Sequence, residues 1–147
     1  MKDKVILLVE DNPDDVELTL RAFKKNHIVN KLIVAPNGLE ALDYLFGRGI
    51  YQERDIKDLP VLIMLDLNLP KINGLEVLTA IRQNEMTRLL PVVVITSSNR
   101  NEDLLASYTL GANSYIPKPV DFNEFMEAVK VLGLYWLSWN KPPPLIH

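Results

Sequence analysis

Polar residues stand where apolar runs stop. Glu10 and Asp11 follow Val5-Ile6-Leu7-Leu8-Val9, and Asp66 follows Val61-Leu62-Ile63-Met64-Leu65. Thr96 follows Val92-Val93-Val94-Ile95, and Lys118-Pro119 follows the weaker run Ser114-Tyr115-Ile116. An ionised carboxylate left unpaired in an apolar interior costs several kcal/mol. Asp66 must therefore reach water or meet a cation. Carboxylates crowded together raise one another's pKa unless positive charge intervenes. Hard oxygen ligands suit Mg²⁺, which takes one or two carboxylates together with water and phosphate. A lysine adds a mobile point charge, and a threonine adds a hydroxyl donor. Together these groups suit the holding of a phosphoryl group on a carboxylate nucleophile. The cation and the lysine would neutralise charge on the phosphoryl oxygens.

Such residues act together only if the chain converges them. The runs Val5–Val9, Val61–Leu65 and Val92–Ile95 do not alternate apolar with polar, which marks parallel strands covered on both faces. Lys31 to Ala35 and Ser114 to Ile116 fit the same pattern. Amphipathic segments lie between them. Val16, Leu18, Leu20 and Phe23 fall in a helix from Asp14 to near Asn26. Leu39, Leu42, Leu45 and Phe46 recur at helical steps before Gly47. Leu75, Leu78 and Ile81 follow Asn73-Gly74. Leu104, Leu105, Tyr108 and Leu110 follow Asn101, read as an N-cap, with Gly111 closing that helix. Phe122, Phe125, Met126 and Val129 open a last helix at Asp121. The βα unit thus recurs throughout, and an α/β doubly wound five-stranded parallel sheet in the order 2-1-3-4-5 follows. In such sheets ligands bind at the carboxyl ends of the strands, at the switch point between the first and third. The polar residues above stand there.

The 147 residues fit one domain. A net charge of −3 gives no basic footprint for nucleic acid. With no cysteine, disulfides and thiolate metal sites are excluded. The apolar run Val5–Val9 is too short for a signal-peptide core or a membrane span, so a soluble cytoplasmic protein is expected.

At this point the residues resemble a family. The acidic pair Glu10-Asp11, Asp66 within LDLNLP, Thr96 with a small residue after it, Tyr115 three residues before the lysine, and Lys118-Pro119 look like the response-regulator receiver domain. The likeness runs over about residues 4 to 130. It implies the flavodoxin-like receiver fold, with Asp66 accepting a phosphoryl group from a histidine kinase. It implies that Asp11 binds Mg²⁺, Glu10 acts through water, and Asn68 gives a backbone carbonyl. Thr96 and Lys118 would hold phosphoryl oxygens, and Thr96 with Tyr115 would form the switch. The readout would be the face of the fourth helix, fifth strand and fifth helix. A cis Lys118-Pro119 bond is also implied. Glu10 departs mildly from the aspartate common at that place, which touches metal affinity alone. The VILLVED start, LDLNLP, the Asn-Glu-Asp after the fourth strand and the Tyr-Trp-Leu ending resemble the single-domain regulators of cyanobacterial phytochromes. That subgroup implies a phytochrome-type histidine kinase as partner and a homodimer.

Residues 1–130 are expected to form the receiver domain, and 131–147 a helical extension with a proline-rich arm. Val131 to Leu137 carries no charge, and Trp139 follows. A helix apolar all round needs a second partner. Either this end folds back over its own core, or it builds an isologous homodimer through Leu134, Tyr135, Trp136 and Trp139, which is the favoured reading. With no DNA-binding segment after residue 147, output is expected to run through protein contacts. The segment Gly47 to Leu59 is long for a connection and is either a disordered tether or a partner-facing loop. Asp14 and Asp15 read as first-turn acids favoured by the helix dipole. His27 and His147 show no catalytic partner.

Three other functions compete. An aspartyl-phosphate phosphatase needs a second aspartate two residues after the nucleophile, and Asn68 stands there. A flavin mononucleotide binder needs a phosphate loop after the first strand, and Glu10-Asp11-Asn12-Pro13-Asp14-Asp15 repels phosphate. A phosphorylation-independent interaction module would not need the set Asp11, Asp66, Thr96 and Lys118.

Overall fold

The computed structural model describes residues 4–144. Five strands, β1 (Val5–Val9), β2 (Lys31–Ala35), β3 (Leu62–Leu65), β4 (Val92–Thr96) and β5 (Ser114–Pro117), pair in parallel in the order β2-β1-β3-β4-β5. Helices α1 (Pro13–Lys25), α2 (Gly38–Phe46), α3 (Gly74–Gln83), α4 (Asn101–Thr109) and α5 (Phe122–Leu134) alternate with the strands. The predicted topology is the observed one.

Side chains alternate across a strand, and two core layers result. Leu7, Val9, Ile63, Leu65, Val92 and Val94 face α2 and α3, packing on Leu42, Leu45, Val77 and Ile81. Ile6, Leu8, Leu62, Met64, Val93 and Ile95 face α1 and α5, packing on Phe23, Phe125, Met126 and Val129. Burial on both faces is why β1, β3 and β4 read as unbroken apolar runs.

Asparagine sets three helix starts. Asn12 accepts from the Asp14 and Asp15 N–H groups, Asn37 from Glu40 N–H, and Asn73 from Glu76 N–H. Asp121 caps α5 in the same way. Gly74 permits a close approach: a Cβ there would lie 2.3 Å from the Asp66 carbonyl oxygen. The start of α3 can therefore press against the chain leaving β3.

Several local expectations are corrected. Asn101 is the first residue of α4, and Arg100 takes the cap position with no side-chain cap bond. The Ser98 hydroxyl instead donates to Asp103 Oδ2 at 2.6 Å, holding the entry to the helix. Leu20 of α1 and Phe122 of α5 are exposed, because Thr19, Ala22, Phe23 and Phe125 face the sheet in their place. Leu104, Leu105 and Tyr108 of α4 are exposed as well, with Leu105 at 70%. The buried residue of that helix is Ser107, whose hydroxyl bonds back to the Asp103 carbonyl at 2.7 Å. Apolar spacing along α4 thus indicates a helix but not its buried side.

The segment 47–59 is ordered. A 3₁₀ turn at Gly49–Tyr51 follows the left-handed Gly47 that ends α2. Arg54 then gathers the loop. Its guanidinium donates to the carbonyls of Tyr44, Leu45, Asp55 and Asp58 at 2.7 to 3.2 Å, and stacks over the Tyr44 ring at 4.2 Å. One arginine so satisfies carbonyls at the end of α2 that would otherwise lack donors.

Beyond Leu134 the chain continues as a π-helical turn, Tyr135–Trp139, closed by Asn140 N–H on the Tyr135 carbonyl. Trp136 and Leu137 pack on the α1/α5 core layer, while Tyr135 and Trp139 stay exposed. The end thus folds back on its own core through Trp136 and Leu137. Pro142, Pro143 and Pro144 line an apolar groove of about 180 Å³ with Leu59, Pro60, Met86, Leu89 and Pro91, by the amino ends of β3 and β4. The remainder of the expected arm, Leu145 to His147, lies outside the described residues. No helix among the described residues is long and apolar enough to cross a membrane.

Candidate functional site

The strand register stacks the chemistry. Val9 pairs with Leu65 and Thr96 with Pro117, so Glu10, Asp66, Thr96 and Lys118 emerge along one edge of the sheet. Backbone bonds fix them there: Asp66 N–H to the Val9 carbonyl at 3.0 Å, Glu10 N–H to Ala35 at 3.0 Å, and Lys118 N–H to Thr96 at 2.7 Å.

Asp66 is 4% exposed. Its Oδ2 accepts from Lys118 Nζ at 3.0 Å, and its Oδ1 accepts from Asn68 N–H at 3.2 Å. Burial acts to raise its pKa. The Thr96 hydroxyl and the charge and hydrogen bond of Lys118 outweigh burial, so the carboxyl is held below its ordinary range. The Asp66 carboxylate is thus paired, ionised and anchored.

Glu10 behaves in the opposite way. It is buried and accepts from Lys118 Nζ at 2.6 Å. Burial and the nearby Asp66 charge win over the lysine, pushing its pKa up to about 7. For Lys118, burial favours the neutral amine, but its carboxylate partners prevail and its pKa is raised above the ordinary lysine range. Thr96 is fully buried.

Carboxylate oxygens of Glu10, Asp11 and Asp66 lie within 4.8 Å of one another, a hard-oxygen set of the kind a divalent cation takes. Asp11 is the exposed member, facing the solvent from which an ion would arrive. Asn68 is exposed beside them. Tyr115 is half-buried, and its hydroxyl donates to the Ser98 carbonyl at 3.0 Å, tying β5 to the loop after β4. The structure thus brings Glu10, Asp11, Asp66, Asn68, Thr96 and Lys118 into one crevice, with Tyr115 on its flank. Leu134, Tyr135, Trp136 and Trp139 lie apart, on α5 and the turn after it.

One expectation fails. There is no cis peptide bond among the described residues, so Lys118-Pro119 is trans. The intrinsic difference between the isomers of such a bond is only about 0.5–1 kcal/mol. Lys118 reaches its carboxylates from the trans form.

One residue was missed in the sequence. Asp15 Oδ2 accepts from Lys118 Nζ at 2.7 Å. Nothing in the spacing separates it from Asp14, and only the direction of α1 turns one of them to the lysine.

Comparison with known proteins agrees with this geometry. A family model described as the response regulator receiver domain matches residues 6–130. FilR2 of Methanothrix harundinacea, a probable methanogenesis regulatory protein, is 40% identical over 95% of this chain and 87% of its own. Response regulator Rcp1 of Synechocystis is 40% identical over 92% of this chain and 90% of its own. The Mn²⁺-bound form of Rcp1 superposes with a TM-score of 0.88. The phosphorylated cyanobacterial phytochrome response regulator RcpA superposes with a TM-score of 0.90 at 36% identity, covering 97% of this chain and all of that one. A buried, lysine-paired aspartate beside an acidic pair, on this sheet and with these relatives, makes the chain a member of the response-regulator receiver family of two-component signalling, similar to the response regulator Rcp1 and the phytochrome response regulator RcpA.

Proposed function

We propose that Asp66 is the phosphoacceptor of a two-component switch, taking its phosphoryl group from a phosphohistidine of a sensor kinase. The observation that carries the reading is the state of Asp66: ionised, anchored by Thr96 and Lys118, and set at the rim of the acid cluster. One Asp66 oxygen forms the new P–O bond while the P–N bond to the histidine breaks, and the imidazole keeps that electron pair. Lys118 and the Thr96 hydroxyl then hold phosphoryl oxygens. Glu10, Asp11, Asp66 and the Asn68 carbonyl would hold Mg²⁺, which supplies neutralising charge. The protein acts as a stoichiometric acceptor and not as a metabolic enzyme.

The kinase is proposed to be of the phytochrome type, because RcpA serves as a phytochrome response regulator and matches this chain along its whole length. The switch is proposed to run through Thr96 and Tyr115, whose hydroxyl already grips the loop after β4. Residues 1–130 then carry the receiver. The extension from residue 131, with Leu134, Tyr135, Trp136 and Trp139, carries a homodimer contact in a soluble cytoplasmic protein.

Intact mass after incubation with Mg²⁺ and acetyl phosphate, or with a phosphorylated kinase, tests the acceptor. The native chain should gain one phosphoryl group, and Asp66→Asn should gain none. A native chain that gains nothing from either donor, or an Asp66→Asn chain that gains as much, overturns the reading.

A further inference from the structure

We infer that Asp15 is a positioning residue that restrains Lys118, competing with the phosphoryl group for the lysine. This rests on Asp66 being the phosphoacceptor.

Lys118 has three ammonium hydrogens and three carboxylate partners: Glu10 at 2.6 Å, Asp15 at 2.7 Å and Asp66 at 3.0 Å. Its bonding capacity is filled, and Asp66 holds it least closely. A phosphoryl oxygen can gain Lys118 only if one carboxylate yields. Glu10 and Asp66 belong to the acid cluster, so their charge is also available to a bound cation. Asp15 stands outside that cluster, and among the described residues its negative charge is directed at Lys118.

The local structure holds Asp15 in that role. Asn12 donates its backbone N–H to Glu10 Oε2 at 3.2 Å and caps α1 by accepting from the N–H groups of Asp14 and Asp15 at 2.9 and 3.4 Å. Pro13 fixes the first helical residue. The Thr19 hydroxyl bonds to the Asp15 carbonyl at 2.8 Å. The turn is thus set from both sides, and the Asp15 carboxylate faces the crevice while Asp14 faces solvent. A first-turn acid needs no such aim, since the helix dipole favours both residues alike.

The test compares phosphorylation rates with acetyl phosphate and Mg²⁺ for the native chain, Asp15→Asn, Asp15→Glu and Asp14→Asn. Asp14→Asn removes the same charge from the same turn without touching Lys118. Asp15→Asn should accelerate phosphoryl uptake several-fold. Asp15→Glu should restore the native rate, and Asp14→Asn should stay within about twofold of it. The Asp15→Asn effect should persist in 1 M salt, where the Debye length is about 3 Å and long-range repulsion of the anionic donor is screened. Equal acceleration in Asp14→Asn, or an effect that vanishes in high salt, would make Asp15 a source of general repulsion and overturn its positioning role. So would an unchanged or slower Asp15→Asn. Should Asp15→Asn fold poorly, Asp15→Ser carries the same expectation. Absence of uptake by the native chain from acetyl phosphate and from a phosphorylated kinase sinks the acceptor reading and Asp15 with it. Native uptake with an unaltered variant sinks Asp15 alone.

Discussion

The carboxyl edge of the sheet and the flank formed by α4, α5 and the turn after α5 treat unfavourable groups in opposite ways. At the edge, charge is taken out of water and matched: Glu10, Asp66 and Lys118 are largely buried, and both carboxylates pair with the lysine. On the flank, apolar surface is left in water. Leu105, Tyr108, Val131, Tyr135 and Trp139 are all exposed, the last at 80%. Buried charge without a partner costs several kcal/mol, so the edge must be complete within one chain. Exposed apolar surface costs less and can be covered later, so the flank can be completed by a second molecule. The first arrangement fits a site and the second fits a contact surface.

The largest effect on stability should come from crowding the edge. In Gly74→Ala the new Cβ would lie 2.3 Å from the Asp66 carbonyl oxygen and 2.6 Å from Leu67 Cα. Both are backbone atoms, so the chain carrying Asp66 must move. A loss of about 3 kcal/mol in chemical denaturation is expected. A loss below about 0.5 kcal/mol, the range of a neutral surface change, would show that the edge is not tightly packed.

The loop 47–59 offers an intermediate case, in which one cation serves carbonyls instead of carboxylates. Arg54→Ala removes its bonds to Tyr44, Leu45, Asp55 and Asp58. A cost of about 2 kcal/mol is expected, with faster limited proteolysis within 47–59. Native-like resistance would mean that the loop is held by other contacts.

A smaller effect should appear as a pH dependence of the metal-free protein. Glu10 has its pKa raised from 4.5 to about 7, so the folded state binds more protons than the unfolded state across that interval. Stability contributed by Glu10 must then fall as pH rises from about 4.5 to about 7. Asp66 is shifted the other way and is already ionised in both states there. The difference in melting temperature between native protein and Glu10→Gln should follow this fall. A difference that stays level across the interval would place Glu10 in a more open setting.

On the flank, Trp139→Ala should change monomer stability by no more than about 0.5 kcal/mol. It should weaken self-association in sedimentation equilibrium. Unchanged association would move the contact off this turn.

The edge was largely legible because two signals coincide there. Unbroken apolar runs mark buried parallel strands, and a polar residue at the end of such a run has no packing reason to be present. Strand order, the convergence of Glu10, Asp11, Asp66, Thr96 and Lys118, and the helix starts at Asn73 and Asp121 all follow from that local grammar, whereas the cap at Asn12 lies two residues before the expected start at Asp14. The flank was less legible. Leu104, Leu105 and Tyr108 recur at helical steps as core residues do, yet α4 turns Ser107 inward. Arg54 is one charge among several in the loop 47–59, and its four carbonyl partners come from both sides of the turn.

Sequence alone determined the α/β order, the convergence at the carboxyl edge, and the residue types gathered there. Tertiary structure decided which neighbour in each ambiguous pair faces the site. It turned Asp15 to Lys118 and left Asp14 in solvent, half-buried Trp136 and exposed Trp139, and kept Lys118-Pro119 trans. The physical reason is one of range. Hydrophobic runs and strand ends are written in adjacent residues. The direction of a helix face depends on packing between segments as far apart in sequence as Asp15 and Lys118.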